Sequence, residues 1–366
     1  MDQVLERVST ANATPPPMTG TLTPLERVEG LRQRRAADGA TANDNPWMSA
    51  LWLRTWWEVY GGQRQARVIS LPAPEPAEWP MYQENDRHLR SLSLPGYSYC
   101  RHSLPQPENI PALAAQLAAQ RDWDTLHFTG LPLDQARRWC DGLRAARLTA
   151  SVSLAHQQRY LPLDRTWPEI EAEMRPSLRS NVHRRERMLE KLGPLQLRVH
   201  TQPDGLASIF EECVALESSG WKGKQRTALA YLPDARRFYR TLAFRAAATG
   251  ALYLALLYSN DALIAFSFCL RHHRVLGGVK IAYHDGWRRY APGSVLTYRL
   301  LQRLQQQGAA ELDFSGGDDP YKAEWTPYAR TLADLRAFNR TARGRAAAFL
   351  CNSRAAVFAR LRPQPA

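Results

Sequence analysis

The stretch from residue 279 to 325 constrains the fold of this chain most, because it combines a strand, a turn, a helix, a second strand and a loop. Its sequence is VKIAYHDGWRRYAPGSVLTYRLLQRLQQQGAAELDFSGGDDPYKAEW. The first N–H groups of a helix lack internal partners and carry its positive dipole end. The turn at the helix start therefore predicts a phosphate or pyrophosphate site, with a plain helix start as the alternative. The residues of the predicted anion turn are Tyr290, Ala291, Pro292, Gly293, Ser294 and Val295.

The loop after the second strand supplies candidate catalytic groups, namely Asp313, Asp318, Tyr321 and Lys322. Acyl transfer to an amine or hydroxyl needs a base to take a proton and donors to hold the developing oxyanion. Burial or a like charge would raise the pKa of Asp313 or Asp318 toward a useful range. An equally weighted alternative is that Asp313 caps a turn and Lys322 forms a structural ion pair with it. Tyr321 is interpreted either as a general acid or as a packing residue.

A second loop, Ser218–Gly223, places Trp221 and Lys222 between glycines and beside Glu217. An aromatic and cationic loop of this kind could close over an acceptor or contact the phosphates of a donor. The alternative is that Trp221 fills a hydrophobic gap. His284 adjoins the anion turn and is a further candidate for substrate binding, although an isolated histidine is more often structural.

The composition limits the partners and the compartment. The net charge of +13 suits anionic partners, but the favoured interpretation is that arginine is the default exposed residue of a chain encoded by a high-GC genome. The five cysteines are odd in number and widely spaced, which argues against a disulfide framework or a zinc site, so no metal is expected. No run of about 18 apolar residues is present, so no membrane-spanning helix and no integral membrane association are expected. The start of the chain lacks the apolar core of a signal peptide, which predicts a cytoplasmic protein.

Helices and strands alternate along the chain, which predicts an α/β fold with mixed sheets flanked by helices. A helix is expected at 48–60 and a strand at 67–71, whereas 72–86 and 89–98 are expected to be loops. A basic helix at 179–191 carries Glu186 and Glu190, placed for pairing along the helix, which favours a solvated face over a nucleic-acid surface. The predicted organisation is a disordered leader, an N-terminal domain, a C-terminal domain and a helical tail, with boundaries 1–45, 46–165, 166–340 and 341–366.

Together these motifs resemble the GNAT superfamily of acetyltransferases, in the CelD-like branch related to the FemAB aminoacyltransferases. The resemblance spans roughly residues 45–335 and rests on the order and spacing of several short motifs. These are Pro46-Trp47, Trp56-Trp57, Arg179-Ser180-Asn181, Trp221-Lys222-Gly223, Tyr283-His284-Asp285, Tyr290–Gly293, Gly308, Asp313-Phe314, Asp318 and Tyr321-Lys322. It implies two GNAT-like domains side by side, a duplication that the sequence itself does not reveal.

The resemblance implies transfer of an acyl group, expected to be acetyl, from acyl-CoA to an amine or hydroxyl of a small molecule or an envelope-polysaccharide precursor. Pyrophosphate would lie on the anion turn, Asp313 or Asp318 would act as base, and Lys322, Trp221 and Lys222 would orient the substrates. Direct attack is favoured because no cysteine or serine stands in an activating setting. The alternatives are a FemAB-like transferase that uses aminoacyl-tRNA, the one nucleic-acid partner considered, and a non-catalytic GNAT-like binding protein.

Overall fold

The computed structural model describes residues 45–62, 64–71, 77–86, 89–93, 101–102 and 110–361. Within them, the strands form one continuous mixed sheet in the order β1-β2-β3-β4-β11-β5-β10-β9-β8-β7-β6. The strands are β1 (Gln65–Leu71), β2 (Ala77–Asp86), β3 (Leu89–Ser93), β4 (Thr125–Pro132), β5 (Thr149–Pro162), β6 (Leu195–His200), β7 (Leu252–Ser259), β8 (Ala262–His272), β9 (Val275–Tyr283), β10 (Glu311–Asp313) and β11 (Ala329–Phe338).

Helices cover this sheet. They are α1 (Ala50–Tyr60), α2 (Ile110–Ala119), α3 (Leu133–Ala145), α4 (Trp167–Glu173), α5 (Pro176–Glu190), α6 (Leu206–Ser219), α7 (Trp221–Lys224), α8 (Pro233–Ala248), α9 (Pro292–Gln306), α10 (Lys322–Trp325) and α11 (Ala342–Leu361). Short 3-10 turns lie at Pro46–Met48, Leu229–Tyr231 and Asp285–Tyr290. The predicted α/β class with a mixed, helix-flanked sheet is confirmed. Within the described residues, no helix combines the length and the apolar character needed to cross a membrane.

The two halves of the sheet repeat one order of elements. In the first half, the antiparallel strands β1, β2 and β3 are followed by α2 and then by β4, which pairs parallel to β3. In the second half, the antiparallel strands β7, β8 and β9 are followed by α9 and then by β10, which pairs parallel to β9. The structure therefore contains the duplication that the sequence pattern conceals.

The last strand of each half crosses into the other half. β5 pairs antiparallel with β10, and β11 pairs antiparallel with β4, while β5 and β11 lie side by side at the centre. This exchange joins the halves into one sheet. β11 falls within the segment predicted as the C-terminal domain, yet it pairs with strands of the N-terminal segment, so the domain boundaries stay predictions.

Two hydrophobic cores cover opposite faces of the second half. On one face, α1, α6 and α8 pack against β7 and β8, with Trp52, Phe210 and Phe238 in the core. On the other face, α4, α5 and α9 pack against β7, β8, β9 and β10, with Val295 and Leu301 in the core. A third core lies under α2 and α3 in the first half. The second half is thus covered on both faces, and α1, from the start of the described chain, is part of that covering.

The elements expected at 48–60 and 67–71 are confirmed, but the loops expected at 72–86 and 89–98 are wrong where the structure describes them. Residues 77–86 form β2 and residues 89–93 form β3, a hairpin. Pro80 is tolerated in β2 because, among the described residues, β3 pairs with 82–86 and Pro80 has a partner strand on one side. The predicted leader lies outside the described residues, except for Asn45.

The basic helix α5 also differs from expectation in its ion pairs. Instead of pairing along the helix, Glu186 and Glu190 both accept hydrogen bonds from the Arg299 guanidinium of α9, at 2.5 Å and 2.9 Å. An arginine that reaches two carboxylates one helical turn apart holds α5 against α9. The two glutamates thus stabilise the helix that carries the anion turn.

Candidate active site

A cavity opens where β9 and β10 part. The two strands pair only between Val275–Gly277 and Glu311–Asp313. Beyond that point β9 continues to Tyr283 beside β8, whereas the chain leaves β10 after Asp313. The gap has a volume of about 340 Å³. It is lined by Lys222, Tyr239, Ser267, Cys269, Gly278, Val279, Lys280, Ile281, Thr297, Leu300, Leu312, Asp313, Phe314, Ser315, Gly316, Tyr321 and Lys322.

Residues from both faces of the sheet line the cavity. Thr297 and Leu300 belong to α9, which covers one face, while Lys222 and Tyr239 belong to α7 and α8 on the other side. Side chains from the two faces therefore contribute to one cavity between parallel strands.

Asp313 is among the residues that line the cavity and is fully buried. Its Oδ1 accepts a hydrogen bond from the Ser315 N–H at 2.8 Å, while its Oδ2 finds no hydrogen-bond partner among the described residues. Burial raises the pKa of the Asp313 carboxyl, although the positive charges of Arg101 and Arg330 oppose this. A buried carboxyl with a free oxygen is suited to taking and returning a proton.

Lys322 holds the loop that follows Asp313. Its ammonium group is nearly buried and donates to the carbonyls of Ser315 and Gly317, at 2.6 Å and 3.0 Å. It forms an ion pair with Asp319 at 2.8 Å. Within the described residues it forms no ion pair with Asp313, so the structural pair considered above is absent, whereas the expected turn cap by Asp313 is present. Lys322 therefore fixes the wall of the cavity around Asp313.

On the opposite wall, Glu217 joins two lysines. Its Oε1 lies 2.9 Å from the Lys280 ammonium and 3.2 Å from that of Lys222, and its Oε2 accepts the Leu229 N–H at 3.0 Å. Burial works to raise the pKa of Glu217, but the two lysines and the Leu229 N–H hold it below its usual value. Burial and the neighbouring charge of Lys222 lower the pKa of Lys280. This Glu217–Lys280–Lys222 cluster makes the wall cationic.

A bulge in β9 exposes backbone to the same cavity. Phe268 of β8 stands opposite Lys280, and Cys269 stands opposite Gly278, so Val279 is left without a partner in the ladder. Bulges leave peptide groups unpaired and occur beside active sites. Gly278 allows β9 to lie close to the end of β10, since a Cβ on Gly278 would be 3.3 Å from the Asp313 carbonyl oxygen.

The anion turn offers fewer N–H groups to a ligand than the sequence indicates. Ala291, in the left-handed region with φ 47°, is the N-cap of α9, and its carbonyl accepts the N–H groups of both Ser294 and Val295. Pro292 has no N–H, so among the described residues the Gly293 N–H is the one in this turn left for a ligand. Val295 and Tyr290 are buried and serve the core.

The remaining candidates lie at the rim or outside it. Asp318 is exposed and lies 3.6 Å from Arg159, and Tyr321 is half-exposed at the cavity rim. Trp221 is exposed beside Lys222 rather than filling a gap. His284 is not among the residues that line the cavity. Its Nδ1 accepts the Gly286 N–H at 3.2 Å and caps a 3-10 turn. Within the described residues, no cluster of acidic, histidine or cysteine groups could hold a metal.

The sequence interpretation missed Lys280 and Val279. A signal for Lys280 was available, since it is a charged residue within the apolar run Val275–Tyr283. A charge in such a strand needs a buried partner or a ligand. No comparable signal marks Val279, because a bulge depends on how two strands are paired.

Comparison with known proteins agrees with this geometry. Residues 176–323 match the family described as the Acetyltransferase (GNAT) domain, which spans less than half of the chain but includes β6 to β10 and the cavity. No curated protein matches the sequence. The predicted membership of the CelD-like branch stays a prediction.

Solved structures share the fold over most of the chain. FemX aligns with a TM-score of 0.58 at 12% identity over 86% of this chain and 96% of that chain. A conserved protein of unknown function from Bacteroides thetaiotaomicron aligns with a TM-score of 0.55 at 14% identity, over 84% and 97% of the two chains. L-PGS from Bacillus licheniformis aligns with a TM-score of 0.51 at 11% identity, over 82% and 94%. At these identities the likeness shows the fold alone.

Proposed function

We propose that this protein is an acyltransferase that moves an acyl group, expected to be acetyl, from acyl-CoA to an amine or hydroxyl of a small molecule or an envelope-polysaccharide precursor. The observation that carries the proposal is the buried Asp313 carboxyl, whose Oδ2 has no hydrogen-bond partner among the described residues. Asp313 lines the cavity that forms where β9 and β10 part. The match of residues 176–323 to the GNAT domain supports the same reaction class.

The donor would enter along α9. Its pyrophosphate would accept a hydrogen bond from the Gly293 N–H and lie at the positive end of the α9 dipole, with the exposed Arg288 nearby in sequence. The Thr297 hydroxyl donates to the Gly293 carbonyl at 2.9 Å, and Thr297 lines the cavity. Four helical residues span about 6 Å, so the turn and the cavity are close enough for one extended donor to occupy both.

The transfer step uses groups of the cavity walls. The nucleophilic nitrogen or oxygen of the acceptor attacks the thioester carbonyl carbon while the Asp313 carboxylate takes the proton of the nucleophile. The carbonyl oxygen becomes an oxyanion, for which the N–H of Val279, the residue at the bulge, is the proposed donor. The C–S bond then breaks, and the Asp313 carboxylic acid returns its proton to the coenzyme A thiolate. Asp318, the second candidate base, would have to act through water, since it is exposed at the rim.

Direct transfer is favoured over an acyl-enzyme at Cys269, the cysteine that lines the cavity. Burial raises the pKa of the Cys269 thiol to about 11, and its neighbour is the Ser267 hydroxyl at 3.6 Å rather than a base. The thiolate is the nucleophilic form of cysteine, so this thiol is poorly suited to attack.

One alternative keeps the fold and changes the donor. The net charge of +13 allows binding of an anionic macromolecule such as aminoacyl-tRNA, the donor expected for a FemAB-like transferase. A non-catalytic binding protein is the remaining alternative, and the perturbed carboxyl in the cavity counts against it.

Thermal-shift measurements separate these functions. A ligand that binds the folded state alone raises the melting temperature by mass action. The proposal expects a rise with acetyl-CoA or a longer acyl-CoA, and release of coenzyme A thiol once an amine or hydroxyl acceptor is added. Stabilisation by tRNA that weakens steeply with salt, without a response to any acyl-CoA, would favour the aminoacyl-tRNA alternative. A rise with acyl-CoA but no turnover across an acceptor panel would favour a binding protein.

A further inference from the structure

With both lysines protonated, the Glu217–Lys280–Lys222 cluster carries one more positive than negative charge, and burial together with the charge of Lys222 lowers the pKa of Lys280. Within the described residues, no acidic side chain other than Glu217 lies within ion-pair distance of Lys280 or Lys222. Glu217 is itself fully engaged, because its second oxygen accepts the Leu229 N–H. The side chain of Lys280 is 12% exposed and that of Lys222 is 28% exposed, and both line the cavity. An unbalanced charge at this depth is costly unless an anion arrives to share it.

The other charged groups around the cavity do not cancel this excess. Lys322 is paired with Asp319 and with two carbonyls on the far wall. Asp313 is fully buried, and burial raises the pKa of its carboxyl, which reduces its negative charge. From α8, Tyr239 presents its ring to the Lys280 ammonium at 4.8 Å from the centroid. A ring holds a cation in place without neutralising it.

The cluster lies on the side of the sheet away from the donor path. Glu217 belongs to α6 and Tyr239 to α8, which cover the face opposite α9. The proposed site for the donor's pyrophosphate is at the start of α9. An anion held by Lys280 and Lys222 would therefore belong to the second substrate.

We propose that Lys280 and Lys222, held in place by Glu217, bind a carboxylate or phosphate group of the acceptor, an inference that rests on the proposed function. Along β9, Lys280 lies three residues beyond Gly277, the partner of Asp313 in the ladder. Three residues of a strand span about 10 Å. The acceptor is thus a molecule with a nucleophilic amine or hydroxyl at one end and an anionic group several bonds away, rather than a neutral amine or sugar.

The direct test uses the wild-type full-length chain and small anions as probes. Lysines are modified with limiting sulfosuccinimidyl acetate, and the extent at each lysine is measured by peptide mass spectrometry. Inorganic phosphate and malonate are the probes, with chloride at equal ionic strength as the reference. We expect one or both probes to slow modification of Lys280 and Lys222 at least threefold, while Lys224, which is exposed and paired with Asp285, is unaffected. Equal protection of all three lysines, or none, overturns the proposal.

Variants then assign the site. Lys280→Met keeps a balanced Glu217–Lys222 pair and should weaken probe binding at least tenfold, whereas Lys224→Met should leave it unchanged. Stabilisation by acetyl-CoA should persist in both variants. If Lys280→Met does not fold, the wild-type protection data still decide. Displacement of the probes by free coenzyme A would assign the anion site to the donor and overturn the inference. Absence of any acetyl-CoA response with intact anion protection would instead count against the proposed function alone.

Discussion

Trp47 lies directly against Gly277, so closely that a Cβ added to Gly277 would lie 2.6 Å from the Trp47 Cζ2 atom. Gly277 lies next to the candidate site, since it is the ladder partner of Asp313, which lines the cavity. Trp47 is fully buried, and its ring also meets that of Trp52 at 4.8 Å between centroids. The start of the described chain thus supports the strand on which the cavity is built.

Gly277→Ala should therefore destabilise the protein. The added methyl has to displace an indole that is packed on several sides, and overpacking of this kind costs about 1–3 kcal/mol. The change is measured as the free energy of unfolding from urea denaturation. Gly317→Ala is the matched control, because a Cβ there meets nothing within 4 Å. A Gly277→Ala protein as stable as Gly317→Ala would contradict the packing described.

The contact between Trp47 and Gly277 also shows what the sequence could predict and what it could not. The helix near 48–60 follows from the spacing of its apolar residues, and its N-cap by Ser49 is local. This helix packs on α8, in the second half of the fold. That is a long-range tertiary contact, which no local sequence pattern predicts. The same limit explains why the exchange of β5 and β11 between the halves was not foreseen.

The residues of the candidate site likewise fall into those that local sequence patterns indicate and those that only the tertiary structure brings in. Asp313, Lys322 and Lys222 were found from sequence because each follows or adjoins a turn with a recognisable residue pattern. The ion pair between Lys322 and Asp313, which the sequence left open as an alternative, is absent among the described residues, because the turn from 315 to 319 brings Asp319 and two carbonyls to the ammonium instead. Lys280 joins the site only through the pairing of β8 with β9 and the packing of α6 above them. Those relationships depend on the tertiary structure.

Gly293→Ala should weaken acyl-CoA binding without weakening the fold. A Cβ at Gly293 would meet only the Tyr283 ring, at an ordinary distance of 3.4 Å. Alanine favours the helix over glycine by up to about 1 kcal/mol, so the free energy of unfolding should stay level or rise. The methyl would nevertheless stand beside the N–H offered to the pyrophosphate, and we expect the Kd for acetyl-CoA to rise about tenfold. Calorimetry of both proteins checks this, and an unchanged Kd would contradict the assignment of the turn.

Lys322→Met should impair turnover by loosening the wall around Asp313. The substitution leaves the carbonyls of Ser315 and Gly317 without their donor, and an unsatisfied buried group costs about 1–3 kcal/mol. We expect a lower free energy of unfolding and a fall of about tenfold or more in kcat at saturating acceptor. Lys224→Met, at an exposed lysine, is the control. If Lys322→Met lost stability but kept full kcat, Lys322 would have only a structural role.

Asp313→Asn tests the assignment of the base. The amide fills the same space but cannot take a proton, so kcat should fall about 100-fold or more, with acetyl-CoA stabilisation retained. Asp318→Asn should lose far less, because Asp318 is exposed and lies at the rim beside Arg159. Single-turnover thiol release measures both. The reverse order of effects would transfer the role of base to Asp318.

The pH dependence gives Asp313 an independent signature. Burial raises the pKa of its carboxyl in the folded state, so at low pH both the folded and the unfolded states hold the proton. As pH rises above about 3.9, the unfolded carboxyl ionises first. The folded state then binds more protons, and stability falls with rising pH until the folded pKa is passed. Relative to Asp313→Asn, which lacks this titration, the wild type should lose up to about 1.4 kcal/mol per pH unit in that window.

Urea denaturation of both proteins between pH 4 and 8 gives this difference directly, since titration of all other groups, Glu217 included, is common to the pair. In the same window kcat/KM of the wild type should rise with pH, because only the ionised carboxylate accepts the proton of the nucleophile. The pH at which the stability difference stops falling should coincide with the midpoint of the rise in kcat/KM, as the pKa of one carboxyl in the folded free enzyme governs both. A stability difference that stays constant with pH would mean that the Asp313 carboxyl is not held protonated by its burial, and the proposed base would lose its physical basis.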